Sequence, residues 1–135
     1  MARTNFENLH VYRLAEKLAD LIWRIVLNWP HFARDTVGKQ LVRAIDSVGA
    51  NIAEGSGRKA FQDNRRYVRI ARGSLNETQH WLRRAYNRKL LSANEVAELK
   101  CIMDELAPRL NAYLKSIGPT PASTATDNEQ RTTDK

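Results

Sequence analysis

The chain of 135 residues has a single cysteine, Cys101, so no disulfide can form within it. That excludes a small secreted scaffold held by disulfides and suits a reducing cytosol. Proline and glycine are scarce, at 4 and 6 copies, which excludes collagen-like and low-complexity chains. Long apolar runs are missing too. Leu21-Ile22-Trp23 and Ile25-Val26-Leu27 are split by Arg24, whereas a membrane span needs about 20 apolar residues. The opening residues Met1 to Asn8 carry no apolar stretch of signal-peptide length. A cytoplasmic protein with no membrane partner is expected. Segments with the two-residue period of a strand are absent, as are convincing internal repeats. Acidic residues are the scarcer charge, 15 against 22 Lys and Arg, for a formal net charge of +7.

What is present is helical periodicity. Val11, Leu14, Leu18, Leu21 and Ile25 recur at alternating three- and four-residue spacing, with Ile22, Val26 and Trp29 widening the stripe. This predicts a first helix over about 8–28, ended by Pro30. Thr36 is the expected N-cap of a second helix over about 37–54, whose buried stripe is Val37, Leu41, Ala44, Val48 and Ile52. It ends at Gly55-Ser56-Gly57. A third helix over about 60–89 has the seam Val68, Ala71, Leu75, Thr78, Leu82 and Ala85. Ser92-Ala93-Asn94-Glu95 has the spacing of a capping box and opens a fourth helix over about 93–117. Its expected seam is Val96, Leu99, Met103, Leu106, Leu110, Tyr113 and Ile117, with a kink or break at Pro108. Beyond Gly118 nothing large and apolar remains, so residues 118–135 are expected to be a flexible polar tail. Residues 1–117 thus read as one all-α domain, an antiparallel up-down-up-down four-helix bundle.

The second helix also carries Ala44, Ser47, Gly49, Ala50 and Ala53, and Gly73-Ser74 lies in the middle of the third. Glycine there is about 1 kcal/mol worse than alanine, so close backbone approach is expected in return. The small residues fit either tight packing within one bundle or a face that admits a neighbouring subunit. Gln40, Arg43, Ser47, Asn51 and Glu54 form a polar stripe about 100° from the apolar one. Glu54 falls at a helix C-terminus, where the helix dipole disfavours an anion. A cationic partner is expected among Arg58, Arg69 and Arg72, fixing the corner between the second and third helices or a subunit contact.

No catalytic site, metal site or cofactor is expected. Two Glu-x-x-His pairs, Glu7–His10 and Glu77–His80, echo di-metal bundles. However, Glu77 and His80 fall on the outer face, and the other pair lies at the very start of the first helix. Cys101, between Leu99 and Met103, is expected to be a buried structural thiol. Gly-Ser-Gly alone is no phosphate loop.

The basic charge is concentrated. Residues 58–89 hold ten basic side chains and two acidic ones, Asp63 and Glu77. Arg65, Arg69, Arg72 and Arg83 fall on adjoining outward columns of the third helix, with Arg66 beside them. Guanidinium groups suit bidentate phosphate contacts, and Tyr67, His80, Trp81 and Tyr86 are interleaved as stacking candidates. Either RNA or DNA binding without base readout follows, or else a solvated face whose arginines stabilise an oligomer. No helix-turn-helix, zinc-finger or RNA-recognition signature is present.

The stretch Gln40 to Ala44, Ser47-Val48-Gly49-Ala50-Asn51-Ile52-Ala53-Glu54-Gly55-Ser56-Gly57-Arg58 and Ile70-Ala71-Arg72-Gly73-Ser74-Leu75-Asn76-Glu77 resembles a bacterial family. Its members are four-helix-bundle proteins first noticed as reading frames within intervening sequences of 23S ribosomal RNA genes. Phe6-Glu7-Asn8-Leu9 with Val11-Tyr12 also fits, so the resemblance covers roughly residues 5–117. It implies a homopentameric ring without established enzymatic activity. It marks Arg43, Ser47, Asn51, Glu54, Gly55, Arg58, Gly73 and Ser74 as a motif of fold or assembly. Distant relatives are accessory factors of retroelements, in which a basic pentameric barrel binds nucleic acid and a reverse transcriptase. That implies self-association, RNA or DNA, and a nucleic-acid-processing protein as partners. Pro108 and the polar tail depart from the family's pattern.

Overall fold

The computed structural model describes Phe6 and residues 9–119. Most of the expected tail therefore lies outside the described residues, as does Glu7. Among the described residues there are four long helices and no strand. They are α1 (His10–Leu27), α2 (Lys39–Ser56), α3 (Phe61–Asn87) and α4 (Ala93–Ser116). α1 packs on α2 and α4, and α3 packs on the same two, with the most extensive seam between α2 and α3.

The apolar stripes meet in one core. Leu18 and Ile22 of α1, Leu41, Ile45 and Ile52 of α2, Val68 of α3, and Leu106 and Leu110 of α4 are shielded almost completely. Truncating one of these leucines or isoleucines to alanine would cost about 2–5 kcal/mol, because the cavity collapses only partly. Trp29 locks one end of the bundle. It is buried, and its indole Nε1 donates to the Leu90 carbonyl at 2.9 Å. That bond ties the end of α1 to the α3–α4 corner. At this corner Lys89 holds a left-handed backbone, φ 60°, while the Leu90 N–H donates to the Ala85 carbonyl. The helix end is thus satisfied as glycine would do it. The capping box forms next: the Ser92 hydroxyl accepts from the Glu95 N–H, and the Ser92 N–H donates to the Glu95 carboxylate.

Three expectations are corrected. Thr36 is not a helix N-cap. Helical backbone already starts at His31, just after Pro30, and passes through a π-helical turn, Arg34–Gly38, into α2. Thr36 lies inside that turn and donates to the Phe32 carbonyl. The turn presses on α1: a Cβ at Gly38 would stand 2.7 Å from a Val26 methyl and 3.4 Å from the Trp29 ring. Second, α4 is one continuous helix through the exposed Pro108, so the break allowed for there is absent. Third, Cys101 is exposed rather than buried. The buried face of α4 is Leu99, Ile102, Leu106, Leu110 and Leu114, which turns Cys101 outward and leaves Met103 and Tyr113 at the edge.

Candidate nucleic-acid interface

Two members of the polar stripe of α2, Ser47 and Asn51, are half-buried and bond inside the bundle. Asn51 Nδ2 donates to the Ser47 carbonyl at 2.8 Å and to its hydroxyl at 3.0 Å. The Ser74 hydroxyl on α3 donates to the same Ser47 oxygen at 3.0 Å. The buried Thr78 hydroxyl donates to the Ser74 carbonyl. Ser47, Asn51, Ser74 and Thr78 therefore form one polar seam joining α2 to α3. Such a network is favourable only when its members are satisfied.

At the far end of that seam the two helices touch. Gly55 is buried, and a Cβ there would meet Asn64 Oδ1 at 2.6 Å, Tyr67 Cβ at 3.0 Å and the Asn64 carbonyl at 3.1 Å. Asn64 Oδ1 itself is buried without a hydrogen-bond partner. Beside it Arg58 donates to Glu54 at 2.7 Å and to the Tyr67 hydroxyl at 2.9 Å. The Tyr67 ring also lies near two guanidiniums, Arg58 at 4.9 Å and Arg66 at 4.7 Å. Glu54 thus meets Arg58, not Arg69 or Arg72. Both members of the pair are about half exposed, so the bridge itself contributes well under 1 kcal/mol. Tyr67 is the member of this corner that sequence reasoning missed. Its partner Arg58 sits nine residues away, across a turn, where no helical period links them.

The remaining motif residues point away from the seam. Arg43 is exposed and borders a groove with Trp81 and Arg88. Gly73 is exposed, and a Cβ there would meet nothing within 4 Å. Close backbone approach within the chain therefore does not explain this glycine.

The arginines of α3 divide between its two flanks. Arg66 faces α2 through Tyr67. Arg65, Arg72 and Arg83 face α4. Arg65 is partly buried and donates to the Ile117 carbonyl at 2.8 Å. Arg72 reaches Asn111 Oδ1 at 3.5 Å, a weak contact. Arg83 borders a groove with Leu99, Lys100 and Met103 of α4. Arg69, four residues after Arg65, projects from the same side of the helix. Arg69 and Arg83 are exposed and make no hydrogen bond or ion pair with any other described residue. The nearby acids of α4 are already engaged on their own helix: Lys100 meets Asp104 at 3.0 Å, and Arg109 meets Glu105 at 3.2 Å. His10 donates to Glu105 as well, and this bond, with Arg109, holds that carboxyl below its usual range. Arg69 and Arg83 are thus left without a counter-charge among the described residues.

The four stacking candidates are placed differently. Tyr67 is clamped at the α2–α3 corner, Trp81 donates to Glu77, and His80 stands edge-on to Trp81 at 4.8 Å. Tyr86 remains, 60% exposed.

On the other side of the molecule a groove of about 370 Å³ runs between α1 and α2. Ala19, Gly49, Ala50 and Ala53 keep it shallow, and Glu16, Asp20 and Asp46 make it acidic. Partial burial there, with the Asp20 charge adding, raises the pKa of Asp46. No three His, Cys, Asp or Glu side chains among the described residues are grouped to hold a metal. No helix among them is long and apolar enough to cross a membrane.

Fold and site together define an all-α protein of four packed helices with a polar inter-helix seam and an arginine-rich flank. The family of 23S rRNA-intervening sequence proteins matches residues 7–112, and the chain belongs to it. A protein of unknown function from the S23 ribosomal protein family of Bacteroides thetaiotaomicron shares the fold, with a TM-score of 0.69 at 22% identity. The likeness covers 78% of this chain and 98% of that one. No curated protein matches the chain.

Proposed function

We propose that this protein is a non-enzymatic, cytoplasmic binder of RNA or DNA that grips phosphates through the α4-facing flank of α3 without reading base sequence. The observation that carries the reading is the pair Arg69 and Arg83, exposed and without an acidic partner among the described residues. Arg72 lies between them on the same flank, held only by a 3.5 Å contact that a phosphate would outcompete. Arg65 anchors the line by its bond to the end of α4. At 1.5 Å per residue the line from Arg65 to Arg83 is about 27 Å long, enough for several phosphates of one strand. We take the helices to alternate up and down. Copies of the chain would close into a homopentameric ring, with the acidic α1–α2 groove of one facing a basic flank of the next. A head-to-tail contact of that kind closes when its rotation divides a full turn.

A second reading is a protein–protein adaptor whose arginines serve the ring. It is favoured by the exposed Trp23 and Leu27, which one helical turn places on the same face of α1, since large apolar side chains in water mark interaction surfaces. Binding of labelled RNA and duplex DNA by the wild type and an R69A/R72A/R83A variant separates the two, with mass by light scattering as the second readout. Phosphate binding predicts lost affinity at unchanged mass. Unchanged affinity, or a dissociated oligomer, supports the adaptor.

A further inference from the structure

Resting on the nucleic-acid reading, the geometry points to a narrower ligand: we propose that the groove between α3 and α4 receives an unpaired nucleobase, making single strands the preferred substrate. The groove is open to solvent and has a volume of about 280 Å³, at the small end of ligand sites and of a size for one ring system. Leu82, Leu99 and Met103 form its apolar floor, and Tyr86 stands at its edge with most of its ring in water. A phenol ring so exposed beside an apolar floor offers both a stacking face and a dry seat, which a base presents in turn. The charges fit the occupant. Arg83 lies on the rim with no anionic partner among the described residues, and Lys100 neutralises Asp104, the acid at the same groove.

The register along α3 supports the same occupant. Tyr86 follows Arg83 by three residues, so the two project from neighbouring points of one flank. Arg72 and Arg69 lie about three and about four turns behind Arg83, on the strip toward which a backbone leaving the groove would run. A strand could seat a base against Tyr86 and carry its phosphates past Arg83 to Arg72. In a duplex the bases are paired and stacked inside, so the groove would be left empty. Tyr67, His80 and Trp81 do not line this groove.

The test compares three probes on the full chain: a short mixed-sequence single strand, the same strand with abasic sugars at every position, and a duplex of equal length. The abasic strand keeps the phosphates and removes the bases. The single strand should bind most tightly and the abasic strand markedly more weakly. Tyr86→Ala should weaken the single strand by about 5- to 150-fold, the range for one lost base–aromatic stack, and leave the duplex within about twofold. Tyr86→Phe should restore the single strand, because stacking needs the ring and not the hydroxyl. Equal binding of intact and abasic strands overturns the inference while leaving phosphate binding intact. So does a Tyr86→Ala variant that keeps its single-strand affinity, or whose oligomer mass falls, which would place a second copy in the groove. A wild type that binds none of the three probes removes the nucleic-acid reading itself.

Discussion

The α2–α3 corner gives a sharp stability prediction, because two glycines of the same motif stand in opposite surroundings. At Gly55→Ala the new methyl would lie 2.6 Å from Asn64 Oδ1, 3.0 Å from Tyr67 Cβ and 3.1 Å from the Asn64 carbonyl. The amide end of Asn64 can swing aside, but the carbonyl and Tyr67 Cβ belong to α3 itself and move only with the helix. Overpacking of this kind is worth about 1–3 kcal/mol. Replacing glycine by alanine returns up to about 1 kcal/mol of helix propensity, and less in a last turn. The net loss should be about 1–2 kcal/mol, or roughly 4–8 °C in melting temperature for a domain of this size. At Gly73→Ala nothing lies within 4 Å, so the propensity gain of up to about 1 kcal/mol should appear undiminished. Urea unfolding of both variants at one protein concentration reads the two effects as shifts of midpoint at constant slope. A Gly55→Ala protein as stable as the wild type would refute the close approach. A Gly73→Ala protein that loses stability only where the chain self-associates would mean that a neighbouring copy covers this position.

Other consequences are simpler to state. Lys89→Gly should stabilise the fold by about 1 kcal/mol, since a lysine at φ 60° bears a Cβ clash that glycine lacks; an unchanged unfolding midpoint would contradict this. Asp46 has a raised folded pKa from burial and Asp20, so its ionised form is disfavoured in the fold. Stability from this group is lost as pH rises from the usual aspartate range through the raised value. Asp46→Asn should therefore raise the melting temperature at neutral pH, with the gain fading in acid below that range; a pH-independent gain would contradict it. Arg58→Ala should lower stability by well under 1 kcal/mol through the Glu54 bridge, with a further loss from Tyr67 packing. A double-mutant cycle with Tyr67→Phe should show coupling between the two residues, and additive effects would refute the contact.

The periodic parts of this molecule were legible from sequence. Spacing alone places Leu18, Val48 and Val68 in the core, and the Ser92–Glu95 box is a local rule that the backbone obeys. What failed involved phase or distance. In α4 the choice of Met103 over Ile102 shifted the stripe, and with it Cys101 from outside to inside. Between Pro30 and Lys39 the π-helical turn breaks the 3.6-residue period, so spacing places no helix there before Thr36. The arginines show the same limit. Periodicity gives the angle at which Arg65 leaves α3, but not that a carbonyl 52 residues away will take it. Nor does it distinguish Tyr86, left in water, from Tyr67, clamped by a turn residue. Gly73 is the clearest case: of the two close approaches its place in the sequence allows, within the bundle or against a neighbouring subunit, the first is absent from the fold.

The central claim is that the free guanidiniums of α3 meet phosphates. A salt titration of nucleic-acid affinity tests it most directly. Each neutralised duplex phosphate contributes about 0.9 to the log–log slope. Removing Arg69, Arg72 and Arg83 together should make the slope shallower by roughly two to three and weaken binding across sequences alike. A variant that keeps the wild-type affinity and slope would contradict the claim.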